Sequence, residues 1–169
     1  LVAKLGVRSG KEPSIATPIV EGVLKREGYR VNIVLDVVSR HGSQFTIRKF
    51  RAEPFTIVEL LRLKTLDPLL AALLWIAVSS KQGVVFYGPT GIGKTTLLNA
   101  VTMLVPTEYK IVTVEDTPEV FLPFHENWGG MVSRPSTDPR VENVTLQSQV
   151  EAALRQRPDV IIVGEIRSR

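Results

Sequence analysis

The string Gly88-Pro89-Thr90-Gly91-Ile92-Gly93-Lys94-Thr95 constrains this chain more than any other feature, because it satisfies Gly-x4-Gly-Lys-Thr between an apolar segment and a helix-forming one. Glycines at these positions let backbone N–H groups converge on an anion, and the helix that follows offers the positive end of its dipole. In such a loop Lys94 bridges the β- and γ-phosphates of a nucleoside triphosphate, and the Thr95 hydroxyl holds Mg²⁺. Gly88, Pro89, Thr90, Gly91, Ile92, Gly93, Lys94, Thr95 and Thr96 are the expected nucleotide-binding residues. The competing reading, a glycine-rich turn that binds nothing, is disfavoured by the strand expected before it and the helix expected after it.

The rest of the chain supplies surroundings for that loop. Residues 29–39 and 44–50 are strongly β-forming, and Arg40-His41-Gly42-Ser43 between them reads as the turn of a β-hairpin. After residue 52 the texture becomes helical. Thr56-Ile57-Val58-Glu59 has the spacing of a capping box, and Asp67-Pro68 is a second helix start with proline at the first helical position. That second helix should be a core helix with Trp75 inside it, and should stop near Gly83. Residues 84–87 then read as a short buried strand, 94–104 as a helix, 110–114 as a strand, 145–157 as a helix and 159–163 as a strand. Residues 119–143 read as loop.

Strand alternating with helix implies a parallel sheet with right-handed crossovers. The expected fold class is therefore α/β, a P-loop NTPase (RecA-like) parallel sheet with flanking helices, truncated at its C-terminus and preceded by part of a smaller α+β domain. The division falls into residues 1–52 and 53–169.

Each of the last two strands runs into acid. Residues 110–114 lead to Glu115-Asp116, and 160–164 lead to Glu165. In open α/β sheets the ligand lies beyond the carboxyl ends of the strands, so the loop, Glu115 and Glu165 should converge on one crevice. Hydrolysis of a nucleoside triphosphate needs one carboxylate to orient or deprotonate water and another for the Mg²⁺ shell. Glu115 suits the first role and Glu165 the second; the bland alternative for both is a solvated loop-end acid. Asp159 opens its strand about 15 Å away at roughly 3.3 Å per residue, so it should not bind Mg²⁺.

Composition narrows the class only slightly. Lys plus Arg number 21 against 17 Asp plus Glu, and a net charge of +4 does not by itself imply nucleic acid. With no cysteine there is neither a disulfide nor a thiolate metal site, which agrees with a cytoplasmic setting. The longest apolar run, the ten residues 69–78, is about half of a bilayer span, so no transmembrane segment is expected. The chain opens on Leu1 without a charged leader, so no signal peptide is read, and an earlier segment is expected to precede it.

Val112-Thr113-Val114-Glu115-Asp116-Thr117-Pro118-Glu119 resembles the aspartate box of the type II and type IV secretion ATPases. Leu154-Arg155-Gln156-Arg157-Pro158-Asp159-Val160-Ile161-Ile162-Val163-Gly164-Glu165-Ile166-Arg167 resembles their Walker B segment. Pro18-Ile19-Val20-Glu21-Gly22 and Ser39-Arg40-His41-Gly42-Ser43-Gln44-Phe45-Thr46-Ile47-Arg48-Lys49-Phe50 look like the segment preceding their motor domain. Glu115-Asp116-Thr117-Pro118-Glu119 and His125-Glu126-Asn127-Trp128 look most like archaeal members that drive type IV pilus-like filaments, including the archaellum. The resemblance implies an ATP-hydrolysing motor, a homo-hexamer in the cytoplasm, peripheral to the inner face of the cell membrane, that moves a membrane platform protein. It also implies ATP and Mg²⁺ as ligands, Glu115 activating water, and Glu165 as the Walker B acid.

Two departures stand out. Ile92 occupies a position where relatives often carry a small residue, and its side chain can point away from the loop. The histidine box that follows Walker B in the family has no counterpart before Arg169, and neither His41 nor His125 can replace it. Family members also draw catalytic arginines from the amino-terminal domain, and Arg40 and Arg48 match that segment; Arg134, Arg155 and Arg157 are expected in structural or subunit contacts. A zinc site at His125-Glu126 is not expected, and packing or hydrogen bonding is the better reading of His125. The alternative function is a nucleotide-binding module without turnover, its site incomplete. A GTPase should carry Asn-Lys-x-Asp and an ABC subunit Ser-Gly-Gly, and neither string occurs.

Overall fold

Side chains adjacent in sequence start most of the helices. In the computed structural model, which describes residues 1–24, 26–49, 53–134, 136 and 140–166, the Thr56 hydroxyl accepts from Glu59 N at 3.2 Å while Glu59 Oε2 accepts from Thr56 N at 2.8 Å. This reciprocal cap opens α2 (Ile57–Arg62) and contributes about 1 kcal/mol. Asp67 Oδ1 accepts from Leu69 N at 2.8 Å and opens α3 (Pro68–Ser79). Phe50 and Arg167, both within the resemblance above, lie outside the described residues.

The chain divides into two compact units, Leu1–Ala52 and Glu53–Arg169. In the first, α1 (Val2–Ser9) packs on an antiparallel sheet of order β1-β2-β3, formed by Ile19–Val23, Arg30–Val34 and Gln44–Arg48. The expected hairpin is present as β2 and β3, with Val31 opposite Ile47 and Arg30 opposite Arg48. Its first strand is shorter than expected, because Leu35 to Ser43 turn away from the ladder and Ser43 Oγ accepts from Asp36 N. The sequence reading did not foresee α1 or β1. Close approach holds them together: a Cβ on Gly22 would lie 2.7 Å from Ser9 Cβ, and Leu5, Leu24, Val31 and Ile33 fill the interface.

The second unit carries α2, α3, α4 (Lys94–Thr102), β4 (Ile111–Glu115), β5 (Trp128–Val132), α5 (Leu146–Leu154) and β6 (Val160–Val163). Its sheet has the order β5-β4-β6, and both pairings of β4 are parallel. All of β4 is buried, as expected of a central strand covered on both faces. β5 lies inside the stretch expected to be loop. Gly129-Gly130 masks it in the sequence, since glycine is depleted in strands, and the pairing of Val112 with Gly129 and Thr113 with Gly130 places both in the ladder.

Three expectations are corrected. Residues 84–87 belong to neither ladder, and Tyr87 is 91% exposed, so the apolar run before the phosphate loop is not a buried strand among the described residues. Strand character needs a paired neighbour, which apolar composition alone does not supply.

The second correction concerns α3, which buries Ala71 and Leu74 against α2 and α4 while Leu69 is 80% and Trp75 60% exposed. An all-apolar helix carries no stripe to mark which face packs, so composition overestimates its burial. Third, α3 ends at Ser79 rather than near Gly83. Lys81 takes the left-handed conformation (φ 55), and Gln82 N bonds Ala77 O in a Schellman closure.

Candidate functional site

Backbone conformation shapes the loop before α4. Gly88, Gly91 and Gly93 have φ of 148, 82 and 99, values that strain any residue with a Cβ, and Gly93 is the N-cap of α4. Beyond the adjoining residues, nothing lies within 4 Å of where a Cβ on Gly91 or Gly93 would start, so it is their φ, not crowding, that calls for glycine. Ile92 is 68% exposed, and its Cγ2 lies 3.4 Å from where a Cβ on Gly88 would start, so its side chain lies beside the loop.

Lys94 folds back over this loop, its Nζ donating to Gly88 O at 2.9 Å and Pro89 O at 2.8 Å. The ammonium therefore stands at the mouth of the cradle. Thr95 and Thr96 follow on the first turn of α4, both half-buried.

Glu115 is the last residue of β4 and only 3% exposed, so it is not a solvated loop-end acid. Its Oε1 accepts from Glu119 N at 2.8 Å and Val120 N at 2.9 Å. Such charge-assisted bonds hold the carboxylate in place and cap the turn that leaves the strand. Gly164 N bonds Val114 O across the β4–β6 pair, and a Cβ on Gly164 would meet Glu115 Cγ at 2.9 Å. Glu165 follows directly, half-buried, at the same end of the sheet as Glu115.

Asn99, on α4, joins these parts. Its Nδ2 donates to Thr95 O at 3.1 Å and Glu119 O at 2.9 Å, and its Oδ1 accepts from Phe121 N at 2.9 Å. Sequence reasoning missed it, since an asparagine inside a helix gives no signal of a partner twenty residues away.

Beside Glu115, Thr113, Pro118, Val120, Trp128, Gly130 and Val132 line a cavity of about 330 Å³ on the β4–β5 face. Trp128 Nε1 donates to Thr113 Oγ1, and the Trp128 ring meets Phe121 edge-on at 6.2 Å. Asp116 accepts from Ser133 Oγ at 2.5 Å, fixing the start of the turn.

Asp159 sits at the opposite end of β6. Its Oδ1 accepts from Lys81 Nζ at 2.6 Å and its Oδ2 from Lys110 N at 2.9 Å. The Lys81 hydrogen bond, then the Lys110 amide, lowers its pKa; the Asp159 hydrogen bond raises that of Lys81.

His125 is buried, with Nε2 donating to Val105 O at 2.9 Å, in keeping with a hydrogen-bonding role. Among the described residues no group of three or more His, Cys, Asp or Glu is placed to hold a metal ion. The Thr95 hydroxyl and the Glu165 carboxylate are oxygen donors, the ligand type that Mg²⁺ takes.

Arg40 and Arg48 belong to the first unit, Arg40 exposed in the β2–β3 connection and Arg48 exposed at the end of β3. Arg134 and Val144 form an isolated bridge, Arg155 caps α5, and Arg157 takes φ 52 before Pro158.

The family described as type II/IV secretion system protein matches residues 24–169. An uncharacterized protein of Methanocaldococcus jannaschii is 43% identical over 97% of this chain and 29% of its own length. The type IV secretion system protein VirB11 of Brucella suis is 38% identical over 54% of this chain and 26% of its own. The crystal structure of the VirB11 ATPase from the Brucella suis type IV secretion system, in complex with sulphate, superposes with a TM-score of 0.50 at 28% identity, covering 98% of this chain and 54% of that one. The chain thus spans about half the length of that solved relative, and less of the two other relatives. No described helix is long and apolar enough to cross a membrane.

Proposed function

We propose, for a chain that belongs to the type II/IV secretion system protein family, that it binds ATP and Mg²⁺ and hydrolyses ATP as part of a secretion-type motor. The observation that carries this reading is the left-handed glycine loop running directly into the N-terminus of α4, with Lys94 at its mouth. The VirB11 ATPase of Brucella suis was solved as a complex with sulphate, so a relative of this chain takes up an anion.

In this reading the backbone N–H groups of residues 88–95 hold the phosphates, and Lys94 exchanges its bonds with Gly88 O and Pro89 O for phosphate oxygens. Thr95 and Glu165 would hold Mg²⁺, which when bound would neutralise charge on the phosphates. Glu115 orients and deprotonates the attacking water. Arg40 and Arg48 would stabilise charge developing on the γ-phosphate.

The parent machine in this proposal is a homo-hexamer in the cytoplasm, engaging a membrane platform protein as in archaeal type IV pilus or archaellum assembly, with no nucleic acid partner. Relatives from Methanocaldococcus jannaschii, at 43% and 39% identity, favour the archaeal branch.

A second reading has its own observation. Glu115 Oε1 already accepts two backbone amides, as a residue that merely caps a turn would, and this favours a nucleotide-binding module without turnover. Both readings need the cradle, so Lys94→Ala tests them together. Nucleotide affinity should be lost in either reading and ATP turnover in the first, and wild-type affinity or turnover in Lys94→Ala would overturn the assignment.

A further inference from the structure

Asn99 ties the turn that donates to Glu115 to α4. Asn99 is 6% exposed, and its three hydrogen bonds use both amide protons and the carbonyl oxygen. Its bonds to Glu119 O and Phe121 N pair it with the chain much as a neighbouring strand's peptide group would. The N–H group of Glu119, just before those two atoms, and that of Val120, between them, both donate to Glu115 Oε1. Residues 119–121 are therefore clamped between two buried side chains, one on the helix that begins at the phosphate loop and one at the end of β4. The Asn99 bond to Thr95 O fixes the clamp to the first turn of that helix.

The geometry points to Asn99 as a positioning residue that sets the Glu115 carboxylate relative to the phosphate loop. The inference rests on the reading of Glu115 as the water-activating group. A shift of the loop helix reaches Glu115 through one amide and one short turn, with no flexible side chain between them. Buried networks of this kind transmit displacement because each member has no water to fall back on. Misplacement of a reacting group by about 1 Å can cost roughly 100-fold in rate.

Asn99→Asp keeps the volume and the acceptor for Phe121 N but removes both donors, setting a carboxylate oxygen against Thr95 O and Glu119 O. Asn99→Ser is smaller and is read alongside it, so that a folding defect in one leaves the other informative. Thr102→Val serves as a structural control, because it removes another buried bond of α4, Thr102 Oγ1 to the backbone Asn99 O at 2.9 Å, and leaves the three bonds of the Asn99 side chain in place.

Steady-state ATP hydrolysis at saturating nucleotide and equilibrium binding of a fluorescent ATP analogue are measured on all three variants and on Glu115→Gln. Expected is a fall in kcat of about 10- to 100-fold in both Asn99 variants, with nucleotide affinity within about twofold of wild type, since Lys94 and the loop glycines are untouched. Thr102→Val should lower the melting temperature while keeping kcat. Wild-type kcat in folded Asn99 variants, or a fall matched by Thr102→Val at equal loss of melting temperature, would overturn the inference. If Glu115→Gln itself turns over at the wild-type rate, the assignment of Glu115 fails first. If Glu115→Gln is inactive and the Asn99 variants are not, only the role of Asn99 fails.

Discussion

Glu115 and Gly164 stand at the carboxyl ends of neighbouring parallel strands, so close that a Cβ on Gly164 would lie 2.9 Å from Glu115 Cγ and 3.3 Å from Oε1. Gly164 is therefore the wall against which the Glu115 side chain rests. Its place in a Walker B-like string follows from this packing, since its φ is not in the left-handed region.

Gly164→Ala should accordingly displace Glu115. A methyl group at this site costs about 1–3 kcal/mol in strain, and the shift should lower ATP turnover more than nucleotide affinity. Denaturant midpoints and kcat measured together check this; an unchanged kcat would mean that Glu115 moves without consequence.

Glu115→Gln and Glu115→Ala should behave differently. A glutamine carbonyl oxygen can still accept from Glu119 N and Val120 N, so the turn and nucleotide binding survive while hydrolysis is lost. Alanine leaves two amides at a buried site without that acceptor, at roughly 1–3 kcal/mol each. Thermal melts of the two variants should separate them, with Glu115→Gln close to wild type.

Far from the loop, the Lys81–Asp159 pair should give a pH signature. Asp159 has its pKa lowered below 3.8, so its contribution is present above that value and is lost as pH falls through the lower folded pKa. Lys81 has its pKa raised above 10.5, so its contribution is full below that value and is lost as pH rises through the higher folded pKa. In Asp159→Asn the stability deficit should be constant from about pH 5 to pH 9 and shrink beyond both limits. Urea midpoints across pH, repeated at high salt, check it; both groups are exposed, so salt should reduce the deficit.

Much of the second unit was legible because its signals are local. Thr56, Asp67 and Thr145 each cap a helix with atoms two or three residues away, and the phosphate loop is a conformational demand on Gly88, Gly91 and Gly93. The parallel order of β4 and β6 follows from a helical crossover, since antiparallel neighbours need only a hairpin. The hairpin of the first unit was legible from β-propensity around a glycine turn.

What remained hidden depends on partners distant in sequence. β5 became a strand only by pairing with β4, and its two glycines argued against it. Trp75 lies on an apolar helix whose exposed face no periodicity could identify. The acid at 115 was visible as a residue type, but its burial, its two amide donors and its link through Asn99 to the loop helix were not.

The sequence by itself determined the loop that can cradle phosphates, the caps that start the helices and the acids that follow two strands, because each is set by conformation or chemistry within a few residues. Only the tertiary structure decided which apolar segments are buried, which strands pair, and how Glu115 is held. Those outcomes depend on contacts such as Asn99 with Phe121, 22 residues apart, whose chemistry exists only once the chain has closed on itself.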